Sequence, residues 1–304
     1  MQTRPDTVPP LAPGLISDLI PGLIRILAPN PSLMTYWGTN SYLLGDGQTR
    51  VLIDPGPDLA DHRAAILDAL PPGTRLSHIL VTHAHRDHSE GARALSDATG
   101  APIYAFGDAL AGRSPVMAAI GDQVGGGEGV DESFMPDVTL AHEAVIETEA
   151  GPITALHTPG HMGNHLCFHW QDMVFSGDLV MGWSSSLISP PDGDAAAFRD
   201  SCALLHDLAP GRLLPGHGAP IETPLERIDF LLTHRANREA QILEALRQGP
   251  LQLLPLTQAV YTELPTSHLP AASRNTLAHL IDLIQRNRIR ATPELSENAF
   301  FSAA

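Results

Sequence analysis

The chain reads as an α+β protein, with sheets covered by helices and a small helical domain at the end. Three observations predict this. Short, β-branched apolar runs alternate with a few helical patterns over roughly the first 220 residues. A Gly-rich stretch, GDQVGGGEGVD over 121–131, divides those runs into two similar halves. After Thr223 the composition shifts to long helical spacing.

Residues 1 to about 20 form a Pro-rich arm. Ser41 to Leu44 and Val51 to Asp54 are strands separated by the turn Gly45-Asp46-Gly47. His62 to Leu70 carries Ile66 and Leu70 at helical spacing. The run His78 to Thr82 (HILVT) is a buried strand by its length and branching. Ser89 to Thr99 is a helix, with Ser89 placed as its N-cap. Ala101 to Ala105 is a strand, and 121–131 is a flexible loop. Val145 to Thr148 and Ile153 to His157 pair around Gly151. Leu166 to His169, Met173 to Ser176, and a short strand ending at Leu213 and Leu214 complete the set.

From Leu225 to Arg247 the pattern is helical, with Leu231, Leu232, Ile242, Leu243 and Leu246 on the buried side. Pro250 interrupts it. A short helix over Thr257 to Glu263 follows, then one over Asn275 to Arg288 with Leu277, Leu280, Ile281 and Ile284 in helical register. Three helices with short turns, ending in RNRIRAT, are similar to a winged helix. The expected units are an arm over 1–20, a catalytic domain over 21–223 and a helical domain over 224–304.

Charge narrows the function. There are 34 acidic residues against 18 basic ones, all of them Arg, and the net charge is -16. Such a surface repels phosphate backbones at long range, which argues against duplex DNA as a partner. A small molecule or a short single strand remains open as substrate. The segment 225–304 holds eight Arg and eight Asp plus Glu, so the acidity sits in the first domain. Arg286, Arg288 and Arg290 are the phosphate-contacting candidates there; the competing reading is that the tail packs on the catalytic domain or forms a homodimer. Two cysteines build no disulfide framework. No stretch approaches the ~20 apolar residues of a membrane span. The start of the chain lacks the charged, apolar pattern of a signal peptide. The expected location is therefore the cytoplasm.

The chemistry concentrates in Thr82-His83-Ala84-His85-Arg86-Asp87-His88, directly after a buried strand. In an extended segment alternate side chains point one way, so His83, His85 and Asp87 face one side. His88 joins them as the chain turns into a helix. Imidazole and carboxylate are the ligand types zinc accepts. Four ligands on one loop cannot complete two metal shells. Three more stand at strand ends beside Gly: His161 in HTPGH, Asp178 in FSGD and His217 in LPGHG. A lone histidine in such a place is usually a surface or core residue. The company of the first motif reverses that reading.

The order of these motifs resembles the metallo-β-lactamase superfamily, over about Ser41 to Pro220. The resemblance implies a four-layer αββα sandwich with a binuclear zinc site at one edge. It implies that His83, His85 and His161 hold the first Zn2+, that Asp87, His88 and His217 hold the second, and that Asp178 bridges both. Gly38 to Leu44 (GTNSYLL), His157 to Phe168 (HTPGHMGNHLCF), Met181 to Asp194 (MGWSSSLISPPDGD) and the winged-helix-like tail are similar to the beta-lactamase-like protein 2 group. That group implies a hydrolase with loosely defined substrates, sometimes linked to cleavage of single-stranded RNA; several of its members are likened to glyoxalase II.

Zinc lowers the pKa of bound water to about 7, and two metals roughly 3.5–4 Å apart share the resulting hydroxide. The expected reaction is hydrolysis of a thioester, ester or phosphodiester. The alternatives are a single-stranded RNA endonuclease, a β-lactamase, and a nucleic-acid-binding regulator. β-Lactamases of this family generally lack the bridging Asp seen at Asp178. The catalytic residues are Asp87, which orients the nucleophile or relays a proton, and Asp178. Behind or around the ligands stand Asp54, as an orienter of a ligand histidine or a plain turn residue, His165, as a substrate contact, a support or a packing residue, and Ser184, as pocket lining. His157 fixes a turn, and Cys167 is core.

Overall fold

The computed structural model describes residues 14–304, so most of the Pro-rich arm lies outside the described residues. Fifteen strands and eight α-helices follow in chain order among the described residues. The first half holds β1 (Ile16–Ile20), β2 (Leu23–Leu27), β3 (Asn40–Leu44), β4 (Thr49–Ile53), α1 (Ala60–Asp68), β5 (Arg75–Leu80), α2 (Arg86–Ser89), α3 (Ala92–Thr99), β6 (Ile103–Ala105), α4 (Pro115–Ile120) and β7 (Val138–Thr139). The second holds β8 (Ala144–Ile146), β9 (Ile153–His157), β10 (Leu166–Trp170), β11 (Met173–Gly177), α5 (Ala195–Leu208) and β12 (Arg212–Pro215). The C-terminal part holds α6 (Pro224–Arg247), β13 (Leu251–Gln252), α7 (Leu253–Val260), α8 (Leu269–Gln285), β14 (Ile289–Thr292) and β15 (Phe300–Ala303).

The two halves are two sheets. β1 to β7 form a seven-stranded sheet in sequence order, antiparallel from β1 to β4 and parallel from β4 to β7. β8 to β12 form a five-stranded sheet, also in sequence order. The division falls between β7 and β8, a little after the Gly-rich loop.

Period-two alternation decides the layers. In β4, Val51 and Ile53 face the space between the sheets while Leu52 faces outward onto the layer that contains Ile66 of α1 and Leu95 of α3. In β10 and β11, Leu166, Phe168 and Phe175 point inward and Cys167 and Val174 point outward, against Phe198 and Leu205 of α5. Helix, sheet, sheet, helix is the resulting order. The C-terminal part forms a further core from Ile242, Leu246, Leu256, Leu277, Leu280 and Phe301, which Met117 and Ile120 of α4 and Val124 join, and the hairpin of β14 and β15 supplies a wing.

Several elements differ from the sequence reading. Leu15–Ile20, assigned to the arm, includes edge strand β1. Ser89 is not an N-cap: its hydroxyl donates to the His85 carbonyl at 3.0 Å, and the following helix begins after Gly91. Helix α5 escaped notice, although Asp194 caps its N-terminus by accepting from Ala196 N and Ala197 N. Helices α7 and α8 begin earlier than their apolar spacing implied, at Leu253 and Leu269, each with a Pro in its first turn, where a missing N–H costs nothing. The end of the Gly-rich loop is pinned: Arg86 N donates to Gly129 O and Asp131 N to Ala84 O, both at 2.8 Å.

Several histidines outside the ligand motifs are held neutral by burial, His62, His234 and His279 among them. His62 is pushed down to about 4, and His279, beside Arg235 and Arg199, to about 3. Unfolded, each titrates near 6.5. As pH falls below about 6.5 the unfolded chain takes up protons that the folded chain refuses. Stability therefore drops with falling pH, by about 1.4 kcal/mol per unit per histidine. Urea denaturation between pH 7 and pH 5 checks this, and His279→Gln flattens the slope.

Candidate metal centre

The seven candidate ligands come from four strand ends at one edge of the sandwich. β5 leads into the loop of His83 and His85, and α2 carries Asp87 and His88. β9 leads to His161, β11 to Asp178 and β12 to His217. Glycines let these ends meet. A Cβ on Gly216 would lie 2.5 Å from both Asp178 Oδ1 and His88 Cε1. Gly177 has φ +46°, and a Cβ there would lie 2.6 Å from His165 Nε2.

The side chains converge as two sets. His85 Nδ1 lies 2.9 Å from His83 Nε2 and 3.0 Å from His161 Nε2. His217 Nε2 lies 3.3 Å from His88 Nε2 and 3.2 Å from Asp87 Oδ2. Asp178 stands between them, with Oδ2 3.7 Å from His161 Nε2 and 3.4 Å from His217 Nε2. Each set could hold one ion, and His83, His88 and Asp178 also lie within a single ion's reach. His85 and the Asp87 carboxylate, whose side chain is 28 % exposed, face the open side; the other five are buried.

Hydrogen bonds behind the rings decide which nitrogens face inward. His88 Nδ1 donates to Asp54 Oδ2 at 2.8 Å, His161 Nδ1 to Leu187 O at 2.6 Å, and His217 Nδ1 to Gly38 O at 3.1 Å. Thr82 Oγ1 donates to Asp54 Oδ2 and so accepts from His83 Nδ1 at 3.0 Å. All four rings thus turn a bare Nε2 lone pair toward the centre. Two such lone pairs, on His88 and His217, face each other across 3.3 Å, and the buried Asp178 Oδ1 has no hydrogen-bond partner. Only a proton or a cation reconciles these atoms. The donors, imidazole and carboxylate, are those of zinc and its neighbours in the first transition row, so the residues fit bound metal.

Electrostatics divide the same way. Burial, reinforced by the neighbouring histidines, holds His83 well below its ordinary value and His85 at about 3. At His161 burial outweighs Asp178 and the Leu187 carbonyl, and the ring is also lowered. At His88 burial is overcome by Asp87, Asp178 and Asp54, which raise it to about 9; His217 is raised by Asp178 and Asp87 in the same way. Against their burial, Asp87 and Asp178 are held well below the usual carboxylate range by His88 and His217.

The outer residues separate. Asp54, with φ 52°, accepts from Thr82 N, Thr82 Oγ1 and His88 Nδ1, which is the orienting place rather than that of a plain turn residue. His165 is fully buried, with Nδ1 3.0 Å from Thr158 Oγ1 and Nε2 accepting from Asp178 N at 3.2 Å; no ring nitrogen is left for a substrate. Ser184 donates to Ser185 O beside Trp183. His157 braces its turn through Gly163 O at 2.9 Å, and Cys167 is buried core. Sequence reading missed Thr39, whose hydroxyl donates to Asp87 Oδ2 at 3.0 Å, and Asn164, whose Oδ1 accepts from Ala84 N. Thr39 lies inside the quoted GTN run, and its place before the strand is the signal that was there. The carbonyls of Gly38 and Leu187 leave none, since every residue has one. Next to His217 in the chain, a Cβ on Gly218 would lie 2.9 Å from Trp183 Cδ1; Trp183 stacks on Tyr36 at 4.7 Å and Tyr36 on the buried Trp37 at 4.8 Å. Arg286 is engaged by Glu239 and Asp282, which removes it from the phosphate-contacting candidates; Arg288 and Arg290 are exposed.

A model of the metallo-beta-lactamase superfamily matches residues 34–217, and one of the beta-lactamase associated winged helix domain matches 254–296. The chain is 32 % identical over 295 residues to a beta-lactamase-like protein 2 homolog of Drosophila melanogaster, covering 94 % of this chain and 95 % of that one. It is 31 % identical over 238 residues to an atrochrysone carboxyl ACP thioesterase of Passalora fulva, covering 76 % of this chain and 63 % of the thioesterase. A beta-lactamase domain protein from Burkholderia ambifaria superposes with a TM-score of 0.79 at 21 % identity, covering 99 % of this chain and 96 % of that one; the likeness is one of fold.

Proposed function

Because this chain belongs to the metallo-beta-lactamase superfamily of hydrolases, we propose that it is a binuclear zinc enzyme that hydrolyses a thioester or a related ester. His83, His85 and His161 would hold one ion, Asp87, His88 and His217 the other, with Asp178 shared. We place the catalytic unit at 16–223, with β1 in its sheet rather than in the arm, and the helical unit at 224–304. The observation that supports the reading best is the pair of converging lone-pair sets with one carboxylate between them. When bound, two divalent cations supply Lewis acidity, which makes water a nucleophile at neutral pH and polarises the substrate oxygen.

The chain's own groups do the rest. Asp87 is ionised at neutral pH and reaches the open side, so its carboxylate can accept a hydrogen bond from the attacking water and aim it. The hydroxyl of Thr39 fixes that carboxylate from behind. Water adds its oxygen to the carbonyl carbon, the C–S bond breaks, and the products are an acid and a thiol. The relation to a thioesterase favours the thioester, and a thiolate, whose parent thiol has a pKa of about 8.5, is a better leaving group than an alkoxide or an amide anion. Among the described residues no helix is long and apolar enough to cross a membrane, and both cysteines are free and buried, which suits a cytoplasmic site.

Elemental analysis of protein purified from zinc-replete medium should find close to two metals per chain. A panel of acyl thioester, lactam, phosphodiester and single-stranded RNA should show the thioester cleaved fastest, with activity falling by roughly 10²-fold or more on chelation. One metal or none sinks the binuclear reading. Faster cleavage of RNA or lactam sinks the substrate class.

A further inference from the structure

The segment 181–190 runs from the end of β11 toward α5 without regular structure of its own. Buried backbone of this kind needs partners, and most of them come from the C-terminal helices. Arg227 of α6 donates to Met181 O and Ser184 O, each at 2.7 Å. Arg235 of α6 donates to Ser186 O at 2.6 Å. Asn275 Oδ1 of α8 accepts from Ile188 N at 3.0 Å. Arg274 of α8 donates to Ser189 Oγ at 2.9 Å and to Pro190 O.

Leu187 lies at the middle of these anchors, and its carbonyl accepts from His161 Nδ1 at 2.6 Å. The peptide groups on both sides of it are the ones held by Arg235 and Asn275. Arg235 reaches His161 by a second route. Its guanidinium lies 4.2 Å over the ring of Phe198. Phe198 backs Gly160, where a Cβ would come within 2.5 Å of Phe198 Cα. His161 is therefore gripped between two elements, both of which Arg235 supports.

We propose that Arg235 and Asn275 are positioning residues for His161, so that docking of the C-terminal domain sets how tightly the His83–His85–His161 set holds its metal. The inference rests on the metal reading above. A carbonyl that orients a ligand histidine is worth 10- to 100-fold in metal affinity (on the order of) in comparable sites. Helix α6 also holds the chain on both sides of Trp183 through Met181 O and Ser184 O.

The test uses the full chain. Zinc affinity is measured for both sites by titration against a competing chelator, and the His161 Nδ1 proton is followed by NMR in metal-free protein. Asn275→Ala should weaken one of the two zinc sites by roughly 10-fold or more and leave the other nearly unchanged, while the His161 proton loses its protection from exchange. Asn275→Asp keeps the acceptor and should restore both readouts. Arg235→Lys should behave like Asn275→Ala; if it fails to fold, the half-exposed Asn275 pair still decides the matter. Arg286→Ala is the control in the same domain, since its partners are Glu239 and Asp282. The proposal is overturned if Asn275→Ala holds both zinc ions as the parent does, or if Arg286→Ala weakens the same site equally. Should the parent bind no zinc, the metal reading fails. The His161 proton then judges the positioning role by itself: protected in the parent and in Asn275→Asp, lost in Asn275→Ala.

Discussion

Asp178→Asn should leave the protein folded, remove at least one metal and lower turnover by roughly 10²-fold or more. Asp178 is the one candidate ligand whose carboxylate oxygens reach toward both sets, at 3.7 Å from His161, 3.4 Å from His217 and 3.5 Å from His88. Two dications held a few ångströms apart repel strongly in a buried site, and a shared anion between them offsets that repulsion. An amide has the same shape and no charge. The sheets do not depend on Asp178, because its Oδ1 bonds to no protein group and its backbone N–H is held by His165. The comparison is His165→Ala. It strands a buried N–H, at a cost of about 1–3 kcal/mol, yet removes no candidate ligand, so both metals should stay. Two metals and near-normal turnover in Asp178→Asn, with a metal lost from His165→Ala, would place His165 in the shell instead.

Asp54→Asn should fold and lose metal affinity by roughly 10- to 100-fold, although Asp54 is not itself a candidate ligand. Its carboxylate accepts three hydrogen bonds, from Thr82 N, Thr82 Oγ1 and His88 Nδ1, between 2.8 and 2.9 Å. An amide offers one acceptor oxygen and one NH2. Whichever way it turns, an N–H faces a donor. If that donor is His88 Nδ1–H, the ring relieves the clash by moving its proton to Nε2, the nitrogen that faces His217 and Asp178. The lone pair needed for a metal is then gone. If the clash falls on Thr82, the loop bearing His83 shifts. The unsatisfied contact costs about 1–3 kcal/mol in either case. Urea denaturation and a chelator titration read the two effects separately. Parent-like affinity in Asp54→Asn would show that His88 is oriented without it.

How much of this was legible depended on whether a feature has a local signature. His83, His85, Asp87 and His88 stand in six consecutive residues after an apolar run, and side-chain chemistry announces them. His161, Asp178 and His217 are each unremarkable alone; the strand and the glycine before them mark them as strand-end residues. The strands β4, β5, β9, β10 and β11 were readable because branched apolar residues alternate or cluster there. Helix α5 was not. Its buried face is Phe198, Ser201, Cys202 and Leu205, and its first turn is three alanines, so apolar spacing alone hides it. Helices α7 and α8 start on Pro-containing turns, and a proline read as a breaker conceals a helix that begins on it.

By itself, then, the sequence determined that strands alternate with helices and so that sheets are covered by helices, while the four-layer order came from the family resemblance and the facing of Val51 and Ile53 against Leu52 from the packing. It also determined the kind of chemistry, because clustered imidazoles and carboxylates after a strand have few other uses. Only the tertiary structure decided how those groups are divided and aimed. The sharing of Asp178 between the two sets, the Thr39 hydroxyl behind Asp87, the Leu187 carbonyl behind His161 and the grip of Arg235 and Asn275 on the peptides beside that carbonyl all join residues 17 to 87 positions apart in the chain. Such distances follow from how two sheets and a winged helix pack. The groups that do the aiming are largely backbone carbonyls, which every residue carries and no pattern of side chains can single out.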